Sequence, residues 1–326
     1  MRLKKKHTGG IVISTASAKK MLGNILLALA AFIWGTSFVA QSESVGLVEP
    51  FTFNGVRMLI GSACILPVAL ISSRTPKNAA DGPVGHRKPN KTVVIGGLVC
   101  GAVIFVAANL QQFGIENGTT AGKSGFITAL YVVMVPIVSI FLKRKPKKTV
   151  WIGIVLAVTG LYLLCVKTGE GSAICIGDVI TLLCAMAFTG HILVIDHFSP
   201  MVNGVWLSCI QFFVGGLLSS GCMFIFEQPS LRGILSAALP ILYSGVMSSG
   251  VAYTLQIAGQ KYTDPTVASL IMCMESVFAV LSGWIILGDA MGAREIIGCM
   301  LMFAAILLAQ IPDEKIKIKK SKKQLL

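Results

Sequence analysis

Charge is what this chain has least of. Asp, Glu, Lys and Arg together make up 13% of its 326 residues, against roughly a quarter in soluble domains. With 54% of the residues hydrophobic and gathered in blocks instead of alternating with polar ones, a water-soluble fold is excluded. A Walker phosphate loop is missing, which argues against ATP hydrolysis by this chain, and other catalytic motifs are missing as well. No catalytic residue and no cofactor are therefore expected. The nine cysteines lack the close paired spacing of metal or redox sites. Nearly all fall inside apolar blocks, where Cys behaves as a small apolar residue, so no metal ligand is expected.

What is present is a series of apolar runs, each near the ~20 residues that a helix needs to cross a bilayer. Ten are legible: 21–40, 51–71, 93–113, 121–142, 149–167, 177–195, 204–226, 235–258, 266–287 and 293–311. The expected class is an all-α membrane protein. The longest connection, Ser72 to Thr92, carries Pro76, Pro83, Pro89 and several charges. It reads as a solvated loop too short to be a domain.

The net charge of +14 is a matter of orientation, not of nucleic-acid binding. With both termini inside, the cytoplasmic side receives 23 of the 28 Lys and Arg residues, chiefly from the head, the Ser72–Thr92 loop, the Lys143–Lys148 loop and the tail. Lys167, Arg232 and Arg294 fall outside, and Arg57 and Lys123 fall within spans. That bias predicts cytoplasmic termini in the cell membrane. Residues 1–20 and 312–326 read as basic cytoplasmic segments that anchor near anionic lipid. The first apolar run follows Lys4 to Lys6 like a signal peptide, but it is long for a signal core and has a counterpart later in the chain, so it is expected to be retained.

Internal repeats divide the chain at 21–167 and 177–311. Leu110-Gln111-Gln112-Phe113-Gly114 returns as Leu255-Gln256-Ile257-Ala258-Gly259, and Gly23-Asn24 returns as Gly177-Asp178. Arg57 in the second span corresponds to Gln211 in the seventh, and Ala31-Phe32-Ile33-Trp34-Gly35 resembles Ala187-Phe188-Thr189-Gly190. Five spans per half is an odd number, so the second copy enters the membrane from the opposite side and the two five-helix repeats are inverted.

A set of residues carries a family resemblance. In the first half they are Trp34-Gly35-Thr36-Ser37-Phe38, Arg57, the run Thr119 to Thr128, Pro136 and Trp151-Ile152-Gly153. Asp264-Pro265, Glu275 and Leu287-Gly288-Asp289 supply the second half. Together they resemble EamA-like members of the drug/metabolite transporter superfamily across roughly residues 21 to 311. The resemblance implies a carrier that exports a small metabolite, an amino-acid-like compound or related solute. One departure is Ser276, where the family usually has Pro after the glutamate; without that Pro the kink in span nine is in doubt.

Ionisable groups inside lipid mark functional pathways or structural pairs. Glu275, about halfway through its span, reads as a contact for a substrate cation, a proton-coupling site, or half of a structural pair. Arg57 either meets an anionic solute group or ties helices together. Lys123 serves as a ligand or as a topology anchor whose stem snorkels, and His191 as a relay or as satisfied structure. Neutral polar and aromatic candidates for the lining are Trp34, Asn109, Gln112, Tyr131, Gln211, Tyr253 and Gln256, with Pro136 as a hinge or kink. Asp178 is expected to cap span six. Gly96, Gly97, Gly101, Gly215, Gly216, Gly245 and Gly250, with neighbouring small residues, allow close helix contact.

The expected partners are a small-molecule solute and membrane lipids, with no nucleic acid; proton or other ion coupling and oligomer formation stay open. Two further classes stay open as well. A membrane-embedded enzyme acting on lipid head groups would cluster its polar residues at one face, and a scaffold or sensor would need no midplane polar groups.

Overall fold

A computed structural model of the protein describes residues 15–73, 89–119, 121–144, 146–166, 174–282, 284–285 and 292–310. The head, the tail, most of the Ser72–Thr92 loop, Thr120 and Leu287-Gly288-Asp289 lie outside the described residues, as do the sequence expectations placed on them. Among the described residues the regular structure is entirely helical. A lipid-facing backbone must satisfy its own hydrogen bonds, and helices do so within one segment.

The first half contains α1 (Thr15–Ser44), α2 (Pro50–Ser72), α3 (Lys91–Glu116), the short α4 (Ala121–Ala129) and α5 (Tyr131–Phe141), and α6 (Lys148–Cys165). The second contains α7 (Ile176–Phe198), α8 (Gly204–Phe226), α9 (Leu231–Ser236), α10 (Ala238–Tyr243), a π-helical stretch (Ser244–Ala252), α11 (Tyr253–Gln260), α12 (Pro265–Met272), α13 (Glu275–Ser282) and α14 (Ala293–Gln310). Eight helical units among the described residues are long and apolar enough to cross a membrane. The helices at the expected fifth and tenth places are α6, whose apolar run Lys148–Leu164 is shorter, and α14, which opens with Arg294 and Glu295.

Local sequence sets the helix starts. Pro50 and Pro265 occupy first-turn positions, where no amide hydrogen is needed. Asn90, Asn203 and Asp264 accept from backbone amides of the first turns they precede, at 2.9–3.0 Å for the closest contacts. Asp178 works as the third helical residue of a capping box: its Oδ2 accepts from the Cys175 amide at 3.1 Å.

Contacts between connecting segments tie the ends of the helices together. At the end where α1 begins, Thr263 donates to Asn24 Oδ1 at 3.1 Å, Trp206 Nε1 donates to Ser73 Oγ at 2.7 Å, and Arg144 pairs with Asp196. At the opposite end Thr119 donates to Asp178 Oδ1 at 3.0 Å. There the Glu227 carboxylate also accepts from the amides of Phe51 and Thr52, both at 2.7 Å.

Packing follows a reciprocal scheme. Helix α2 lies along α8, and α6 along α14. Helix α3 packs on α7 and α8; in the other half, α11 and the π stretch pack on α1 and α2. Glycines make these crossings tight. A Cβ on Gly23 would lie 2.9 Å from the Gly259 carbonyl oxygen, and one on Gly177 would lie 2.4 Å from that of Gly114. These four are the glycines that the repeat aligned in sequence. The surface carries large exposed side chains such as Phe141, Phe224, Ile225 and Leu239, as a lipid-facing exterior requires.

Candidate functional site

A cavity of about 50 Å³ lies among the helices, several times the roughly 10–15 Å³ that one water needs. Its walls come from both halves. Helix α1 supplies Trp34, Phe38 and Gln41, α2 supplies Arg57, α3 Gln111, α4 Thr128 and α5 Tyr131. Phe188 and Ile192 of α7, Ser248 of the π stretch, Tyr253 and Gln256 of α11, Met272 of α12 and Glu275 of α13 complete it.

Glu275 is the first residue of α13 and is 7% exposed. Its Oε1 accepts from the Tyr131 hydroxyl at 3.2 Å. It reaches the centre because Gly35 on α1 leaves room for α13: a Cβ there would stand 2.7 Å from the Glu275 carbonyl oxygen and 2.6 Å from Phe278 Cβ. The Trp34-Gly35 pair thus does two things, with Trp34 lining the cavity and Gly35 seating the helix that carries the carboxylate.

Arg57 is 5% exposed. Its Nε donates to Asn54 Oδ1 at 2.8 Å, and its guanidinium carbon lies 5.2 Å from the Phe53 ring centroid. Asn54 is held in turn through Nδ2 by the Ala108 carbonyl at 3.2 Å and Asn109 Oδ1 at 3.1 Å. Asn109 donates to Ser219 Oγ at 2.9 Å. A polar chain across α2, α3 and α8 therefore fixes the arginine. Among the described residues Arg57 and Glu275 form no ion pair with each other. A buried charge without a counter-ion is costly, so a cavity lined by both an arginine and a glutamate is suited to a solute that carries complementary groups.

The π stretch brings its backbone against this region. A Cβ on Gly245 would lie 2.9 Å from the Arg57 carbonyl oxygen, and one on Gly61 would lie 2.6 Å from Ser249 Cβ. Tyr253, just beyond, packs its ring 4.7 Å from Trp34 and 5.1 Å from Phe212, both edge-on. Trp34 and Tyr253 give the cavity an aromatic wall, with Phe212 packed behind it.

Of the residues singled out from sequence, Trp34, Arg57, Tyr131, Tyr253, Gln256 and Glu275 line the cavity. Asn109 does not; it belongs to the chain behind Arg57. His191 and Gln211 also lie outside the lining, fully buried, with His191 Nε2 3.2 Å from Gln211 Oε1 and its ring 5.8 Å from that of Tyr253. Gln112 is buried, and neither of its amide atoms has a hydrogen-bond partner. Its neighbour Gln111 faces the cavity and donates to Thr128 Oγ1 at 3.4 Å. Lys123 is on α4, and its side chain lies outside the described residues. Pro136 sits inside α5, six residues beyond the interruption at Leu130. Sequence reasoning did not select Phe38, Gln41, Gln111, Thr128, Phe188, Ile192, Ser248 or Met272. For Gln111 the recurring Leu-Gln motif was a usable signal, and Phe38, Thr128 and Phe188 lie in the motifs that carry the family resemblance or the repeat; Gln41, Ile192, Ser248 and Met272 carry none that separates them from ordinary core.

The model of the EamA-like transporter family matches the chain twice, at residues 21–166 and 175–310. An uncharacterized transporter of Archaeoglobus fulgidus is 29% identical over 312 residues, which cover 94% of this chain and 90% of that protein. The uncharacterized transporter YwfM of Bacillus subtilis is 24% identical over 304 residues, covering 91% of this chain and 97% of its own. A solved crystal structure superposes with a TM-score of 0.72 at 18% identity, over 88% of this chain and 96% of that one, which shows a shared fold. With both halves matched and the relatives aligned nearly end to end, the chain belongs to the EamA-like transporter family of the drug/metabolite transporter superfamily.

Proposed function

We propose that the protein is a secondary carrier of ten transmembrane helices in two inverted five-helix repeats, and that it exports a small, amino-acid-like metabolite across the cytoplasmic membrane by alternating access. The observation that carries this reading is the cavity, into which Arg57 and Glu275 both face without pairing to each other. A solute bearing a carboxylate and an ammonium group would satisfy both charges at once. The aromatic wall of Trp34 and Tyr253 suits its apolar body and, through cation–π attraction, its ammonium group.

Two observations support the inverted repeat. The family model matches each half separately. The Gly23–Gly259 contact with its Thr263–Asn24 bond lies at one end, and the Gly114–Gly177 contact with its Thr119–Asp178 bond lies at the other. Related halves that run in opposite senses offer nearly equivalent states open to either face. The positive-inside bias supports cytoplasmic termini, and export rests on the family resemblance. Without a nucleotide site, transport draws on an ion gradient or on the gradient of the solute itself.

Counterflow in proteoliposomes tests this. Vesicles preloaded with an amino-acid pool should take up a labelled member of that pool faster than empty vesicles do. Glu275→Gln should lower that exchange about tenfold, the order expected for one lost charged hydrogen bond, while the protein still inserts and elutes as a folded species. Equal uptake by preloaded and empty vesicles across a broad metabolite panel would remove the carrier reading.

A further inference from the structure

Tyr131 and Glu275 stand at the same place in the two halves. Each opens a half-helix that follows a break, α5 after Leu130 and α13 after Cys273 and Met274. Each lies ten residues beyond the first residue of its unit, Ala121 in one case and Pro265 in the other. Each also follows by twelve residues the threonine, Thr119 or Thr263, that closes one end of the molecule. These two counterparts are in contact through the Tyr131 hydroxyl and Glu275 Oε1.

The backbone at both breaks is wound for bending. The Leu130 amide donates to the Ile127 carbonyl at 3.2 Å and that of Val133 to Leu130 at 2.9 Å. The Met274 amide donates to Ile271 at 3.1 Å and that of Ser276 to Cys273 at 3.3 Å. These are three-residue steps in helices otherwise built on four, the pattern of a mid-helix hinge. Both hinges face the cavity, through Thr128 and Tyr131 on one side and Met272 and Glu275 on the other.

We infer that the Tyr131–Glu275 hydrogen bond is a latch that couples the two hinges, and that a cationic group entering the cavity opens it by competing for the carboxylate. The role of the latch in transport rests on the carrier reading above; its existence does not. A hydroxyl bound to a carboxylate is a weaker partner than an ammonium, whose bond to the same oxygen carries charge on both sides. Among the described residues the second Glu275 oxygen, Oε2, has no hydrogen-bond partner, so the incoming cation has a free acceptor before it displaces the hydroxyl. Tyr131 is thereby a positioning residue, acting on solute through Glu275.

Amide hydrogen exchange of the full chain in lipid nanodiscs tests the latch, with methylammonium chloride as the cation. Tyr131→Phe keeps the ring and removes the donor. It should speed exchange after both breaks, at 131–134 and at 275–278, by roughly three- to tenfold, the equilibrium worth of one hydrogen bond. Glu275→Gln retains a carbonyl oxygen that accepts from Tyr131, so its exchange at both segments should match that of the unmodified protein. Methylammonium should speed both segments in the unmodified protein and leave Glu275→Gln unchanged. A response to Tyr131→Phe confined to 131–134 would overturn the coupling, and acceleration of Glu275→Gln by methylammonium would overturn the competition. Because neither readout requires transport, a protein that fails in counterflow still reports on the latch.

Discussion

Arg57 faces the cavity because Asn54 holds it there. The guanidinium has one described hydrogen bond, from Nε to Asn54 Oδ1, and Asn54 is itself fixed by Asn109 and the Ala108 carbonyl. Replacing Asn54 by Ala should therefore loosen the arginine without removing its charge. Exchange should show an apparent KM about tenfold higher, the order of one charge-assisted bond, with the maximal rate changed far less. An unchanged KM would show that Arg57 is placed by packing against Phe53 alone. At this scale scarcity made some of the lining residues legible in the sequence, though not His191, which stood out equally and lies behind the wall. Glu275, Arg57 and Trp34 are anomalies in apolar helices, and all three line the cavity. It was not legible where two like residues adjoin. Gln112 was the one selected, whereas its neighbour Gln111, which the repeat aligns with Gln256, is the one that faces the cavity. Asn109, His191 and Gln211 are polar and deep, as expected of a lining, yet they serve contacts behind the wall. Burial and polarity are read from a helix pattern, whereas the direction faced within a bundle is not.

Helix contacts in this molecule depend on backbones that approach closely, since lipid gives little hydrophobic drive for helices to associate. Gly177 on α7 sits at a tight crossing: a Cβ would meet the Gly114 carbonyl oxygen at 2.4 Å and Thr119 Oγ1 at 2.5 Å. Both neighbours belong to the contact that closes one end, so Gly177→Ala should part α7 from α3 there. A cost of about 1–3 kcal/mol is expected for such overpacking, seen as a lower melting temperature in detergent. Gly125→Ala, where a Cβ meets nothing within 4 Å, should leave the melting temperature unchanged. Equal melting of the two variants would show that the crossing tolerates separation. The breaks within helices were only partly legible. Pro136 marks the right unit, but the interruption falls at Leu130. Ser276, in place of the family's Pro, left the kink in span nine in doubt, yet α12 ends at Met272 and α13 starts at Glu275 without it. Proline is one cause of a break. Here the π stretch and the three-residue turns, which have no fixed sequence signature, bring about the others.

At the scale of the whole molecule the family model matches the chain twice, at residues 21–166 and 175–310, and recurring motifs make a duplication readable in the sequence. Recurring Gly-Asn/Asp and Leu-Gln motifs aligned Gly23 with Gly177 and Gly114 with Gly259, and the structure presses a member of one pair against a member of the other, Gly23 on Gly259 and Gly177 on Gly114. The cavity lies between those halves and draws lining residues from both. If this arrangement is a carrier, one cavity position must meet water on each side of the membrane in turn. Thr128 lines the cavity on α4, beside the hinge at Leu130. In a variant cleared of the nine native cysteines, Thr128→Cys should be labelled by a membrane-impermeant thiol reagent applied from either face of oriented proteoliposomes. A transported solute should slow the labelling from both faces. Labelling from one face alone, at a rate that solute leaves unchanged, would contradict alternating access around the Arg57–Glu275 cavity.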